Sequence, residues 1–385
     1  MNTKNLYLIK IIFSTCIVIP IYTHAEIDVI KKGQLDSELL SPFSFQFGGQ
    51  LRPEWTFKSG NQQKYERNMH DGASRLRFTM NYDFSPATKL TGYYELGINV
   101  PKILGWEDHY VPGAPSHQTR QAYIGIDNQN WGHLSYGKQY GMQYSVIGSK
   151  SDVWDNDGAA SASSVGINGE YDGASTRARN NLMYIKNFNR FKLYANLLFP
   201  ESAIQNPADD SIDPIYYKRK NGAGLGFDYQ LNPSTTLSAA YSTTKAKLSD
   251  LKQERNIEQN VLGTAVTFTP NQWYLVGTAS YYHNFVPTTH ERQWQNYFIG
   301  DGYGLEAFAG YNFKFDRAYF TELQPYIAVD RLSLVADQND YINHKFIGLV
   351  SQISKDIKVY TEYTFVNAKD KRLKDMAYIT VYYSF

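Results

Sequence analysis

Cysteine is all but missing from this chain. The one present, Cys16, lies in an N-terminal run that reads as an export signal. The rest of the protein therefore has no disulfide and no thiolate for metal binding or catalysis. Long apolar runs are missing too. After residue 25 no stretch approaches the roughly 20 residues that a membrane-spanning helix needs, which excludes a helical membrane protein. Neither sign of charge is in excess, with 38 basic residues against 37 acidic ones, so nucleic acid is not expected as a partner. Nothing in the chain calls for a cofactor or a metal.

Aromatic residues are abundant. There are 32 Tyr and 21 Phe, and aromatics make up 15% of the chain, yet its mean hydropathy is negative. Lys4 and Lys10 flank a basic start, Ile11 to Tyr22 is mostly apolar, and Thr23-His24-Ala25 makes a small-x-small junction before Glu26. Residues 1–25 are thus expected to be a cleaved signal peptide and 26–385 a single domain. A protein that is exported, aromatic-rich and polar on average fits an outer-membrane β-barrel, where lipid-facing and lumen-facing residues alternate and cancel in any window average.

The alternation can be read directly. Phe43, Phe45, Phe47, Leu51, Trp55 and Phe57 share one parity, while Ser44, Gln46, Gln50, Arg52, Glu54 and Lys58 share the other. Leu76, Phe78, Met80 and Tyr82 oppose Arg75, Arg77, Thr79 and Asn81 in the same way, and Leu90, Tyr94 and Leu96 oppose Thr91, Tyr93 and Glu95. Side chains on a strand repeat every two residues, so each segment has an apolar face and a charged one, and the charged face must meet water. Turn-forming clusters such as Ser85-Pro86, Asn128-Gln129-Asn130 and Asn232-Pro233 alternate with long polar segments near 59–71, 101–118, 141–176, 200–217, 247–257, 286–301, 333–341 and 368–374. Eight long loops imply eight hairpins. The expected fold is all-β: a 16-stranded antiparallel transmembrane β-barrel with short periplasmic turns and long extracellular loops, its first strand near Phe43 and its last ending at Phe385. In that last segment Ile379, Val381, Tyr383 and Phe385 oppose Tyr378, Thr380, Tyr382 and Ser384. An apolar parity carried to the final residue suits a strand that closes a barrel in lipid.

At this point the chain resembles the trimeric general porins of Gram-negative outer membranes. Ser74-Arg75-Leu76-Arg77-Phe78, Leu90-Thr91-Gly92-Tyr93, Thr119-Arg120-Gln121-Ala122-Tyr123 and Leu134-Ser135-Tyr136-Gly137-Lys138-Gln139-Tyr140 resemble consecutive porin strands, and Val381 to Phe385 resembles the porin assembly signal. The resemblance implies a third long loop, here 141–176, folded into the barrel to narrow it. It places Asp155 on the family's constriction glutamate and Asp152 beside its constriction aspartate, with Asp157 nearby. It places Arg75, Arg120 and Arg177 on the facing wall, with Arg52, Arg77, Glu95, Lys138 and Arg179 as secondary lumen charges. Loop 101–118, with Trp106 and His109, matches the family's latch toward a neighbouring subunit. Tyr383 and Phe385 would be read by the barrel-assembly machinery. The implied partners are outer-membrane lipid and lipopolysaccharide, two further copies in a homotrimer, and small hydrophilic solutes.

The implied function is passive diffusion of such solutes and ions through a charged waist in the cell outer membrane. Two points stay open in the residues themselves. The loop acids also suit a solvated tip, because the family's Pro-Glu-Phe-Gly-Gly-Asp core is absent and Trp154 stands where a proline would be. Arg120 shares a parity with Ala122, Ile124 and Ile126, which fits either a wall patch under the loop or an outward side chain. Other functions are a sugar-selective channel, for which Tyr93, Trp154, Phe308, Tyr360 and Tyr382 are the candidate lumen aromatics, an adhesin, and a barrel enzyme. An enzyme would need a Ser/His or Asp/His set that no motif here supplies.

Overall fold

The computed structural model describes residues 26–58, 68–156, 177–205, 216–250, 252–284, 301–334, 340–369, 371 and 373–385. β1 (Ile27–Ile30) is followed by β2 (Phe43–Leu51) and β3 (Pro53–Lys58), which make one stave interrupted at Arg52. The short β4 (His70–Asp71) leads to β5 (Arg75–Ser85), β6 (Thr88–Ile98), helix α1 (Val100–Ile103), β7 (His117–Asn128) and β8 (Gly132–Tyr140). Then come β9 (Arg177–Phe188), β10 (Phe191–Leu198), β11 (Ile204–Gln205), β12 (Tyr216–Asn232), β13 (Thr235–Ser249), β14 (Glu254–Phe268) and β15 (Trp273–His283). The chain finishes with β16 (Asp301–Tyr311), β17 (Phe313–Lys314), β18 (Glu322–Leu334), β19 (Asp340–Gln352), β20 (Ile357–Ala368) and β21 (Met376–Ser384). Sixteen of these form the staves of a closed antiparallel barrel, each bonded to its neighbours in sequence.

The barrel closes where the alternation at Phe385 leads one to expect. β21 pairs with β3 from Met376↔Lys58 to Thr380↔Glu54, and with the end of β2 at Gln50↔Ser384 and Leu51↔Tyr383. Gly49 and Phe385 then exchange backbone hydrogen bonds of 2.8 and 3.2 Å. Below that point β1 takes over the same edge, with Ile27 opposite Phe47 and Asp28 opposite Gln46. The stretch after Glu26, ahead of the first strand expected near Phe43, is itself part of the seam. Hydrocarbon offers no water to an unpaired N–H or C=O, and each such group would cost several kcal/mol, so the seam must be completed along its length.

Side chains sort by parity throughout. On β13, Ser238, Ala240, Ser242, Thr244 and Ala246 are buried, while Tyr241 between them is exposed. On the opposite parity to the lumen, Leu225, Leu262, Ile327 and Ile347 are half or more exposed. A barrel in water would hide such residues. Here they form the apolar band that lipid covers. The short connections bear turn residues as read, except for the one between β16 and β18. It runs over residues 312–321 and carries β17, where Phe313 pairs with Leu323. Its turn chemistry is not concentrated in a dipeptide, which is why the sequence gives little sign of it.

Placing a charge on the outward parity should be costly and placing it inward should not. Ile327→Arg, near the middle of the band, is expected to lower stability in bilayers by about 2–4 kcal/mol, read from denaturant midpoints of folding into vesicles. An unchanged midpoint would mean that this face does not meet lipid.

Candidate functional site

The lumen is narrowed by the segment that follows β8. Past Tyr140 the chain turns inward through a π-helical turn at Tyr144–Gly148 and a short helical turn at Ser149–Ser151. Met142, Val146 and Ile147 are fully buried against Met183, Tyr194, Ala240 and Ala265 of the inner wall. Each such apolar side chain contributes about 2 kcal/mol. The wall makes room by being thin. A Cβ on Gly226 would lie 2.8 Å from Val146 Cγ2, and one on Gly263 would lie 2.5 Å from Gln143 Oε1. Polar contacts fix the register. Gln143 Nε2 donates to Ser280 Oγ at 2.8 Å, Lys150 Nζ meets Asp228 Oδ1 at 2.8 Å, and Tyr274 OH donates to the Lys150 carbonyl at 2.8 Å. Asp228 is itself held by Tyr194 OH at 2.8 Å and Ser238 Oγ at 2.6 Å.

The tip of the segment is fastened on the far side of the barrel. Trp154 packs among Phe308, Tyr326, Phe346 and Tyr360, with ring centroids 5.3 Å from Phe346 and 6.1 Å from Phe308. Asp155 accepts from Thr380 Oγ1 at 2.5 Å and Tyr382 OH at 3.0 Å. Glu362 reciprocates by accepting from the backbone N–H groups of Asp155 at 3.0 Å and Asn156 at 3.2 Å, and from Tyr326 OH at 2.6 Å. The hydroxyl-rich face of β21 is therefore the dock for this tip. Burial, with Glu54 and Glu362 close by, pushes the Asp155 carboxyl up to about 7. Its value in an unfolded chain is near 3.9.

The candidate residues divide between two places. Asp155, expected to face arginines, sits instead on β21, because two hydroxyls and an aromatic bed for Trp154 lie there. Asp152 accepts from Tyr144 OH at 2.6 Å within the segment itself. Asp157 lies outside the described residues. The acid among the arginines is Glu95 on β6. It meets Arg120 Nε at 2.8 Å and Arg77 Nε at 3.3 Å and accepts from Tyr93 OH at 3.3 Å. Arg75, two residues from Arg77 on β5, donates from Nε to the Ala73 carbonyl at 3.3 Å. Arg52 donates to Gln50 Oε1 at 2.5 Å and lies 4.3 Å above the Tyr382 ring, so one tyrosine serves both the arginine wall and the docked tip.

The parity of Arg120 is settled by a bulge. Glu95 pairs with Gln121 and Leu96 pairs with Thr119, which leaves Arg120 as an extra residue between them. Such a residue is re-aimed relative to its strand, and Arg120 swings inward to Glu95 although Ile124 and Ile126 further along face outward. For three other candidates the described contacts lie elsewhere. Lys138 shares the parity of the exposed Leu134 and Tyr136, and its Nζ donates to the Thr119 carbonyl at 2.6 Å. Arg177 starts β9 in register with Tyr140. Arg179 lies beside Arg219, whose guanidinium donates to the Arg179 carbonyl and meets Glu201 at 3.2 Å.

Several residues that make the site were not among the candidates. The thin wall has a visible signal, since Gly222-Ala223-Gly224-Leu225-Gly226 puts glycine on every lumen position. Glu362, Thr380 and Lys150 have no such signal, because their role depends on where the loop lands. The aromatics that could have marked a sugar path are split. Trp154, Phe308 and Tyr360 are buried under the tip, whereas Tyr93 stacks on Tyr123 at 5.1 Å on the other wall. Ser116 Oγ and His117 Nδ1 are 3.0 Å apart. They are exposed chain neighbours, and among the described residues no carboxylate orients that ring as a nucleophilic site would need.

Two predictions test this arrangement. Gly263→Leu and Gly226→Leu should evict the root of the segment and raise single-channel conductance severalfold while the barrel keeps its heat resistance on gels. The second concerns pH. A carboxyl whose folded value is raised stabilises the docked tip fully below its unfolded value, and that contribution is lost as pH rises through about 7. Open-channel noise should therefore increase between about pH 4 and about pH 8 in the parent, and Asp155→Asn should flatten the profile.

Comparison with known proteins agrees with this fold. The profile of the Gram-negative porin family matches residues 22–371. The chain is 24% identical over 263 residues to the outer membrane porin protein OmpD of Salmonella typhimurium, covering 65% of this chain and 67% of that protein. It is 23% identical over 317 residues to outer membrane porin F of Escherichia coli, covering 80% of each. Among solved structures, Salmonella typhi OmpF in complex with daunomycin superposes with a TM-score of 0.69 at 15% identity, over 93% of this chain and 100% of that one. The anion-selective porin from Comamonas acidovorans superposes with a TM-score of 0.60 at 15% identity, over 89% and 100%. The trimer form of OmpT from Vibrio cholerae gives 0.59 at 15% identity, over 89% and 99%. Porins are channels of the outer membrane and not enzymes, and this chain, by its closed sixteen-stranded barrel and its match along most of its length, belongs to the Gram-negative porin family.

Proposed function

We propose that the barrel is a water-filled path for passive diffusion of small hydrophilic solutes and ions, and that they pass between the docked segment 141–156 and the wall carrying Arg52, Arg75, Arg77 and Arg120. The observation that carries this reading is that the segment crosses the lumen, its root held on β9–β14 and its tip on β16–β21, beside a wall on β2–β7 rich in guanidinium groups. Arginine stays charged at any relevant pH. Low-dielectric walls focus its field across the waist, so polar solutes can exchange hydration for wall contacts while apolar and bulky ones are turned away. A sugar-selective pathway is less well supported, because Phe308, Tyr326 and Tyr360 are covered by the tip.

The same reading takes residues 1–25 as a leader removed on export, and Tyr383 and Phe385 as the tag for barrel assembly. It takes the working unit as a trimer in outer-membrane lipid and lipopolysaccharide. The trimer form of the Vibrio cholerae protein supports the assembly. The latch candidate is anchored to its own chain, with His109 Nδ1 2.5 Å from the Met69 carbonyl, and Trp106 is left exposed beside it for a neighbour.

Reconstituted protein is expected to open in planar bilayers in steps of three. In a salt gradient, Arg120→Ala should move the zero-current potential toward cation preference, and Arg179→Ala, off the cluster, should leave it in place. If both variants select like the parent, the arginine wall does not border the path. If no steps appear in any protein, the channel reading itself fails.

A further inference from the structure

Beneath the docked tip, on the side of the short turns, the strands that hold it enclose a cavity of about 380 Å³. That is the size of a small-molecule site, and the mouth of a barrel is a common place for one. Its roof is apolar. Val153 of the docked segment, Tyr274 of β15 and Phe308 of β16 close it above, and Val350 and Tyr360 line its back. All of these except Tyr274 are buried, and Tyr274 is tied by its hydroxyl to the Lys150 carbonyl at 2.8 Å.

Below the roof, strand register sets the polar groups in rows. Gln324 of β18 lies opposite Val350 of β19, which lies opposite Tyr360 of β20. Two residues nearer the short turns, Glu322 lies opposite Gln352, and Gln352 opposite Lys358. These six share the lumen parity, opposite to the lipid-facing Ile327, Ile347 and Phe365. Glu322 and Lys358 therefore flank Gln352 across the mouth, their backbones two strand spacings, or about 10 Å, apart. Lys358 Nζ stands 5.9 Å from the Tyr360 ring centre. Gln352 turns its amide to the Ser354 and Ile357 carbonyls at 2.6 and 3.2 Å. Among the described residues, no hydrogen bond or ion pair closes on the Glu322 carboxylate or on the Gln324 amide. Asn312 Oδ1, beside them, is buried with no partner among those residues. A buried acceptor left in that state is costly unless something comes to fill it.

An apolar roof, spare amide groups and an ammonium and a carboxylate set across the mouth match a molecule with the same parts in reverse. A sugar has no charge for either side of the mouth and no tail for the roof. A simple carboxylic acid would meet Lys358 but would bring a second negative charge to Glu322. A zwitterion with an apolar tail meets all three demands, and its two charges form charge-assisted hydrogen bonds with their opposites. We propose that this cavity binds an α-amino acid with an apolar side chain, the side chain under Val153 and Phe308, the carboxylate toward Lys358 and the ammonium toward Glu322. The site needs the docked tip as its roof but no flow of solute past it, so it goes beyond the diffusion reading and does not depend on it.

The test is calorimetric titration of the full-length protein in detergent micelles with L-leucine, and with glycine, isocaproate and glucose, which lack the side chain, the ammonium and both charges respectively. L-leucine is expected to bind saturably and the other three about tenfold or more weakly. Lys358→Gln and Glu322→Gln keep side-chain size, and each should weaken L-leucine about tenfold or more by removing one charge-assisted hydrogen bond. Lys89→Gln, at the same end of the lumen on the other wall, should bind like the parent. No binding of L-leucine by the parent, or equal binding by all four proteins, overturns the site. Isocaproate or glucose binding as tightly as L-leucine overturns the zwitterion assignment, and glycine doing so overturns the apolar roof. Planar-bilayer recordings of the same proteins separate this site from the channel reading. Stepwise opening without L-leucine binding strikes the site alone, and binding without any steps strikes the channel reading alone.

Discussion

Everything in this molecule depends on the requirement that no backbone polar group be left bare in hydrocarbon. A sheet with an edge would violate it, so the first and last staves must meet. β21 covers the upper part of the β2–β3 edge, Phe385 continues the pairing to Gly49, and β1 covers what remains. Closure then fixes the two faces. Outward positions can be apolar because lipid is there, and inward positions can be charged because water is there.

Closure also explains why the waist is built from a loop. The staves carry their charges on the inner wall, but a wall alone leaves a wide bore. Narrowing it requires a segment inside, and that segment must satisfy its own polar groups and bury its own apolar ones. The chain between Tyr140 and Asn156 does both. Its apolar side chains lie over glycine and alanine on β12–β14, and the tip's backbone N–H groups are taken by Glu362. The cost is borne by the wall, which gives up side-chain volume over three strands.

Much of this was legible in the amino-acid order. Alternation in Phe43–Phe57 and in the last nine residues gave the faces and the seam, and turn clusters gave the hairpins. Arg77 and Glu95 were legible as inner charges because nothing disturbs the period between them. Arg120 was not, because a bulge changes side-chain direction without changing residue type. Asp155 shows a different limit. The residue is acidic where the family has an acid, but its position depends on hydroxyls more than two hundred residues away on β21.

The docked tip has a temporal meaning as well as a spatial one. Its partners, Glu362, Thr380 and Tyr382, belong to the last two staves of the barrel. The loop that needs them emerges from the chain far earlier. Until the final hairpin is in place Asp155 has neither hydroxyl to hold, so the tip of the segment can dock only once the last staves are present, although its root has partners earlier in the chain.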